Sequence, residues 1–167
     1  MKFANILTAK RSEKIIMNYT KNRKIYISVS AVLLISVMVL IFCLSAQNAA
    51  ESSETSGFFT EFLALIFGKA VNEEIIRTLA HFSEFAVLGF LVNNFWFSLK
   101  DGLGPLICII ISWAYAWSDE IHQIFVDGRA FQLIDLAVDL GGIIFGTVVF
   151  GCFILLSKKV QKKKKNH

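Results

Sequence analysis

The sequence predicts an all-α polytopic membrane protein, a bundle of four transmembrane helices with a short interfacial helix in its first outer loop. Two observations carry this prediction. Across 167 residues the hydrophobic fraction is 55% and the mean hydropathy is +0.60, and there is a single proline. Four apolar runs are each long enough to supply the ~20 residues that a helix needs to cross a bilayer. They lie at 25–46, 79–99, 103–125 and 133–156.

The first run, 25–46, predicts a membrane span and not a cleaved signal peptide. Its apolar core is longer than that of a signal peptide, and it follows the basic stretch 1–24. Within that stretch, residues 2–19 predict an amphipathic helix on the inner membrane surface. After the span, SGFFTEFLALIFGK (56–69) is apolar but too short to cross, which predicts an interfacial or re-entrant helix. Asn72 is predicted to cap the start of the second span.

Charge placement predicts that both termini are cytoplasmic. Residues 1–24 hold seven Lys or Arg against one glutamate, and the tail 157–167 holds six lysines and no acid. The loop between the first two spans carries five glutamates against one lysine and one arginine, Arg77, which suits the outer side. The chain therefore divides into a basic cytoplasmic segment 1–24, a transmembrane domain 25–156 and a basic cytoplasmic tail 157–167.

The net charge of +4 does not predict a nucleic-acid partner. Both basic clusters flank spans, where lysine and arginine contact anionic lipid head groups, so membrane lipids are the predicted partners. Cys43, Cys108 and Cys152 fall in three different spans and form neither a CxxC motif nor a disulfide framework. They are therefore predicted to be small buried apolar residues.

Polar residues interrupt the spans near their outer ends, where Ser45 and Gln47 also close the first span. Residues three or four apart share a helix face, which groups the rest into stripes. The stripes are His81 with Glu84, Asp119 with His122 and Gln123, and Asp135 with Asp139. An ionisable side chain facing lipid costs at least ~2.5 kcal/mol, so the stripes are predicted to face one another inside the bundle. Asn93 and Asn94 lie too near the inner end to join them.

A purely structural explanation stays open for parts of this cluster. Glu84 could pair with His122, and Asp135 could favour the positive end of its helix dipole. Arg129, in the short loop VDGRAF, could neutralise Asp127 or Asp135, or it could present a forked donor to a phosphate or carboxylate ligand. Five carboxylates, two histidines, one arginine and two glutamines at one depth favour a functional cluster over packing alone.

The polar motifs resemble those of the VanZ-like family of small bacterial membrane proteins. The matching segments are SAQ ending span one, HFSEFAVLGFL in span two, DEIHQIFVDGR ending span three and DLAVDLGGIIFG opening span four. The resemblance covers about residues 25–150. It places these residues on the family's motif positions: Ser45, Gln47, His81, Glu84, Asp119, Glu120, Gln123, Arg129, Asp135 and Asp139. Asp127 stands where the family has a proline, and His122 is not a family hallmark.

The resemblance implies a cell-envelope protein of the bacterial cytoplasmic membrane, in a family named for a member associated with low-level teicoplanin resistance. It implies no settled mechanism, and two hypotheses remain. One is a protein that binds or acts on an envelope component or a glycopeptide antibiotic through a polar pocket open to the outer face. The other is an acid/base enzyme embedded in the membrane that acts on a lipid-linked envelope precursor.

The enzyme hypothesis assigns roles within the cluster. Burial disfavours the charged form of a carboxyl, so one could act as an acid beside a neighbour that acts as a base. Glu84 and Asp119 are the predicted pair, with His81 or His122 moving a proton. The predicted ligand-binding residues are Arg129, Gln123, Glu120, Asp135, Asp139, Ser45 and Gln47. No cofactor is predicted, and no H-E-x-x-H motif supports a zinc site. The alternative is a divalent metal at His81, Glu84, Asp119 and His122.

Overall fold

The computed structural model describes residues 2–48, 50–54, 57 and 73–165, with side chains described for 22–48, 50–54, 57 and 74–160. Its helices are α1 (Lys2–Ser45), α2 (Glu73–Lys100), α3 (Pro105–Gln123) and α4 (Leu133–Lys165). No strand occurs among the described residues, which confirms the all-α class. The predicted interfacial helix at 56–69 and the predicted cap at Asn72 lie, apart from Gly57, outside the described residues.

α1 and α4 are longer than the spans predicted within them. α1 runs without a break through residues 24 and 25, so residues 2–19 are helical but belong to the same helix as the span. The separate surface helix predicted there is not seen. Neither proline nor glycine occurs between residues 2 and 45, so nothing in the chain breaks the helix. α4 likewise continues past residue 156 to Lys165.

Within the described residues, three helical segments are long and apolar enough to cross a membrane: Asn22–Ser45, Glu74–Lys100 and Leu133–Val160. α3 forms where the third span is predicted but is not among them. It is 19 residues long, and its last five residues include Asp119, Glu120, His122 and Gln123, which lower its hydropathy. A count of four spans therefore depends on α3.

The turns around α3 have clear local causes. Pro105 lies in the first turn, where its missing N–H removes no helical hydrogen bond. Gly104 lies against the Trp96 indole and has no room for a side chain. After α3 the chain turns at Gly128, whose φ of 75° favours glycine. The Arg129 N–H then bonds to the Val126 carbonyl at 3.1 Å, which holds Arg129 close to the end of α3.

α2 and α4 form the closest helix pair. Gly142 and Gly146 of α4 lie against the backbone of Phe82 and Ala86 of α2, and a side chain on Gly89 would come within 2.6 Å of a carbonyl oxygen of α4. Small residues commonly allow this close approach between membrane helices. The main apolar core lies beside this contact and consists of Ile41, Phe85, Leu88, Val92, Cys108, Ala116, Leu136 and Ile143.

The outward faces of the helices are apolar, and Leu106 for example is 72% exposed. Such faces are expected where lipid replaces water. They also explain an error in the cysteine prediction. Cys108 is buried, but Cys43 and Cys152 are exposed, although all three are free thiols. An apolar run on a membrane helix does not distinguish a side chain that faces the core from one that faces lipid.

Candidate ligand-binding site

Polar side chains from all four helices meet at one end of the bundle. This polar end, as it is called below, is formed by the end of α1, the first half of α2, the end of α3 and the start of α4. The buried polar side chains there are Ser45, His81, Asp119, Glu120, Gln123, Asp135 and Asp139. Polar groups buried among apolar helices are destabilising unless they find partners, so their contacts indicate what they do.

Asp119 links α1 to α3. Its Oδ2 accepts a hydrogen bond from Ser45 Oγ at 2.8 Å and another from Gln123 Nε2 at 3.2 Å. Gln123 Oε1 in turn accepts from the Arg129 guanidinium at 3.4 Å. A continuous chain of hydrogen bonds therefore joins α1, α3 and the loop after α3. It runs through Ser45, Asp119, Gln123 and Arg129.

α2 and α4 are joined at the same end by two parallel contacts. His81 Nδ1 lies 3.2 Å from Asp139 Oδ1, and both side chains are buried. One turn earlier on each helix, the Arg77 guanidinium lies 3.5 Å from Asp135 Oδ2. Both helices begin at the polar end and run in the same direction from it. Two residues four apart on α2 therefore lie opposite two residues four apart on α4.

Glu120 fixes the chain where α4 begins. Its Oε2 accepts a hydrogen bond from the backbone N–H of Gln132 at 2.9 Å, and the Gln132 carbonyl accepts from the N–H of Leu136 at 3.2 Å. Glu120 is fully buried. It therefore anchors the loop that carries Arg129 and orients the first turn of α4, in which Asp135 lies.

A cavity of about 70 Å³ lies at the polar end between α1, α2 and the loop after α3. It is called the polar cavity below. Its wall consists of Leu44, Ser45, Gln47, Ser52, Arg77, Ala80, His81, Glu84 and Arg129. Asp119 and Asp139 lie behind this wall, bonded to Ser45 and His81 respectively.

Six buried side-chain atoms among the described residues have no hydrogen-bond partner, and all of them are at the polar end. They are Arg77 Nε, Asp119 Oδ1, Glu120 Oε1, His122 Nε2, Arg129 Nε and Asp139 Oδ2. Leaving a buried donor or acceptor unpaired costs about 1–3 kcal/mol, so such atoms concentrate where water or a ligand completes the site.

The two arginines of the wall affect one another. Burial is the main cause that lowers the pKa of the Arg129 guanidinium, and nearby Arg77 lowers it further, while Asp119 acts in the opposite direction. Arginine nevertheless stays protonated in proteins. Two positive charges therefore share the polar cavity, and a bound anion would relieve their repulsion.

The structure separates the predicted catalytic residues into three positions. His81 and Glu84 line the polar cavity, and Asp119 lies behind Ser45. His122 is not in the wall: its ring stacks on Phe42 of α1, with centroids 4.4 Å apart and an interplanar angle of 23°. No group of three or more His, Cys, Asp or Glu side chains in the described part of the chain is arranged to hold a metal ion.

The structure also decides between pairings that the sequence left open. Glu84 does not pair with His122 and accepts no hydrogen bond from any described residue. Arg129 bonds to Gln123 and to neither Asp127 nor Asp135. It is Arg77 that approaches Asp135.

Two features of the polar cavity are absent from the sequence prediction. The first is Arg77, which falls in the predicted outer loop although it lies four residues before His81 and thus on the same helix face. The second is a capping box after α1, in which Asn48 N–H donates to Glu51 Oε2 at 3.2 Å and Glu51 N–H donates to Asn48 Oδ1 at 2.9 Å. It starts the helical turn that brings Ser52 to the cavity wall.

The family described as VanZ/LLP1 matches residues 30–156. The chain belongs to this family. The match confirms the resemblance seen in the motifs, contains the whole wall of the polar cavity and leaves the two basic ends outside. Together with the three long apolar helices, it identifies a VanZ-family membrane protein. No curated protein and no solved structure matches the chain.

Proposed function

We propose that this VanZ-family protein binds an anionic component of the bacterial cell envelope in its polar cavity, and that this binding changes sensitivity to teicoplanin-type glycopeptides. The observation that carries the proposal is the presence of Arg77 and Arg129 in the wall of one cavity. A guanidinium presents a planar fork of donors that matches phosphate or carboxylate oxygens. The connection with teicoplanin comes from the family resemblance.

The side chains of the polar end include five carboxyl groups, which would repel an anion if they were charged and faced the cavity. Only one of them, Glu84, is in the cavity wall. Each of the others is bound by a neighbour: Asp119 by Ser45 and Gln123, Glu120 by the Gln132 N–H, Asp135 by Arg77, and Asp139 by His81. Among the ionisable groups of the described wall, a ligand therefore meets two guanidinium groups, one imidazole and one carboxyl.

The proposal includes four spans in the bacterial cytoplasmic membrane with both termini inside. α3, with its 19 residues at about 1.5 Å each, is about 28 Å long, close to the ~30 Å hydrocarbon thickness. α1 and α3 end at the polar end, and α2 and α4 begin there, which fits an alternating topology. The positive-inside rule keeps the basic ends of the chain inside, which supports an outer location for the polar end.

Lipid retained by the purified protein tests the binding site. We would extract wild type, Arg77→Gln and Arg129→Gln from bacterial membranes in mild detergent and measure bound lipid by native mass spectrometry. Each variant is expected to retain at least tenfold less phosphatidylglycerol and polyprenyl phosphate, with phosphatidylethanolamine unchanged. The reason is that glutamine keeps one polar group but loses the charge and the fork.

Arg23→Gln is the matched control, because Arg23 is also an arginine of the bundle but lies at the opposite end, paired with Asp101. It is expected to retain as much anionic lipid as wild type. An equal loss in all three variants would show that total charge, and not the polar cavity, attracts the lipid, and the proposed site would be wrong.

A second candidate, an acid/base enzyme acting on a lipid-linked precursor, is favoured by the contact between His81 and Asp139. The carboxyl orients the imidazole through Nδ1 and leaves Nε2 for proton transfer, and Glu84 lies in the same wall. Asp139→Asn distinguishes the two candidates. If this variant retains anionic lipid but loses teicoplanin tolerance, the enzyme is supported; if it keeps both, binding alone suffices.

A further inference from the structure

A second cavity lies between α1, α2 and α3, farther from the polar end. Its volume is about 330 Å³, within the range of roughly 300–1,000 Å³ that is usual for small-molecule pockets. Its wall is almost wholly apolar and includes Leu34, Met38, Val92, Phe95, Trp96 and Ile111. It is called the apolar cavity below.

The serine and tyrosine hydroxyls of the apolar cavity have hydrogen-bond partners within the protein. Ser112 Oγ donates to the Cys108 carbonyl at 2.9 Å, and Tyr115 OH donates to the Met38 carbonyl at 2.6 Å. None of the six unpartnered buried atoms belongs to its wall. A cavity of this kind offers water few partners, whereas hydrocarbon suits it.

The apolar cavity follows the polar cavity along the same helices. On α2, Glu84 of the polar wall and Leu88 of the apolar wall are one turn apart. On α1, Ser45 and Met38 are seven residues apart, which is about 10 Å along a helix. A molecule held at both places would have a polar group at the end of the bundle and an apolar part deeper in the membrane.

The apolar cavity also reaches the surface that faces lipid. Leu99 and Ile111, both in its wall, are 41% and 47% exposed. α1 packs mainly on α2 and barely touches α3, which leaves the space between them. A hydrocarbon chain therefore has a route into the cavity from the side, without crossing the polar end.

We propose that the apolar cavity holds a hydrocarbon chain of the same anionic amphiphile whose phosphate lies in the polar cavity. This inference rests on the proposed function and specifies its ligand as a lipid phosphate with a chain buried in the protein, instead of a soluble anion. Charge complementarity with Arg77 and Arg129 selects the head, and the order of the two cavities with depth matches head and tail. A glycerophospholipid and a polyprenyl phosphate share this chemistry.

Competition by alkyl phosphates tests the inference on the full-length protein in phosphatidylcholine nanodiscs. The probe is hexadecyl phosphate carrying a diazirine at mid-chain, and its crosslinks in wild type are expected on the peptides that contain Phe95 and Trp96. Dodecyl phosphate is expected to displace it at least tenfold better than butyl phosphate. Phosphatidylglycerol and polyprenyl phosphate are then compared as competitors, and displacement by either supports the proposal while identifying the source of the chain.

Ile111→Trp and Ile110→Trp form a matched pair of variants. Both residues are exposed neighbours on α3, but only Ile111 lies in the cavity wall. Ile111→Trp is expected to weaken competition by dodecyl phosphate at least tenfold and to leave butyl phosphate unchanged. Ile110→Trp is expected to change neither. The crosslinking pattern of wild type provides an independent measurement if Ile111→Trp accumulates poorly.

The possible failures are distinguishable. If both tryptophan variants bind dodecyl phosphate like wild type and the crosslinks fall elsewhere, while Arg129→Gln still weakens both alkyl phosphates, the chain site is wrong and the proposed function stands. If dodecanol competes as well as dodecyl phosphate, the cavity takes hydrocarbon without a linked phosphate, which also overturns the inference. If Arg129→Gln leaves both alkyl phosphates unchanged, the proposed function itself is wrong.

Discussion

Both ends of the bundle carry polar side chains, but in the part of the chain that the structure describes only one end leaves buried polar atoms without partners. At the end opposite the polar cavity, the Arg23 guanidinium lies 3.1 Å from Asp101 Oδ2. Asn94 accepts a hydrogen bond from Tyr26 OH at 2.6 Å and donates to Ser30 Oγ at 3.0 Å. Among the described residues, no buried polar atom at this end lacks a partner, whereas six do at the polar end.

Asn93 shows how complete the pairing is away from the polar cavity. Its Nδ2 donates both to the Gly89 carbonyl at 2.8 Å and to Thr147 Oγ1 at 3.0 Å, which joins α2 to α4. A polar residue inside a membrane helix is therefore not in itself evidence of a ligand. Unpaired groups gathered around a cavity are stronger evidence, because the protein alone gives them nothing to bind.

The largest expected effect concerns which side of the membrane each end faces. With the three native cysteines replaced by alanine, Ser53→Cys is expected to react with a membrane-impermeant thiol reagent in intact cells, and Lys163→Cys is not. The reason is the positive-inside rule, which predicts that both basic termini lie inside and therefore that the polar end lies outside. Labelling of Lys163→Cys without Ser53→Cys would invert the topology and move the polar cavity to the cytoplasmic side.

Removing the one carboxyl of the cavity wall is expected to strengthen anion binding several-fold. Glu84→Gln keeps the shape of the side chain but cannot carry a negative charge beside Arg77 and Arg129. It is also expected to accumulate like wild type, because the Glu84 carboxyl has no hydrogen bond to a described residue that the change would remove. Phosphatidylglycerol retained in native mass spectrometry is the measurement. A marked decrease would mean that Glu84 contributes favourably to ligand binding, which a simple anion site does not explain.

The sequence predicts the helices better than it predicts the cavity wall, for a physical reason. Apolar runs locate the helices themselves, and α2, α3 and α4 all form where such runs occur. They do not show where a helix begins: α2 starts at Glu73, six residues before the predicted span at 79–99, so Arg77 falls in the predicted loop. The position of His122 against Phe42 depends on how α1 and α3 pack, which spacing along one helix cannot show.

A smaller effect, on stability alone, is expected for the paired polar residues. Asn93→Ala removes two hydrogen bonds and leaves Thr147 without its partner on α2. Side-chain hydrogen bonds between membrane helices contribute about 0.6 kcal/mol on average and at most about 1.7 kcal/mol. The free energy of unfolding should therefore decrease by an amount within that range. Unfolding in mixed micelles measures it. Anionic lipid retained per folded molecule should stay at the wild-type value, and a tenfold loss would mean that this residue belongs to the ligand site after all.

The smallest effect is expected at the Arg23 to Asp101 contact, although it is the shortest ion pair among the described residues. Its side chains are 37% and 59% exposed, and exposed pairs contribute about 0–1 kcal/mol because water and salt screen them. Arg23 also donates to the Leu99 carbonyl at 3.0 Å, a bond that glutamine can in part replace. Arg23→Gln should therefore lower the melting temperature by no more than about 4 °C, since 1 kcal/mol corresponds to about 2–4 °C in a chain of this size. A larger shift would show that charge holds this end of the bundle together. The difference between this end, where polar groups are paired, and the polar end, where some are not, would then no longer distinguish structural from functional polar residues.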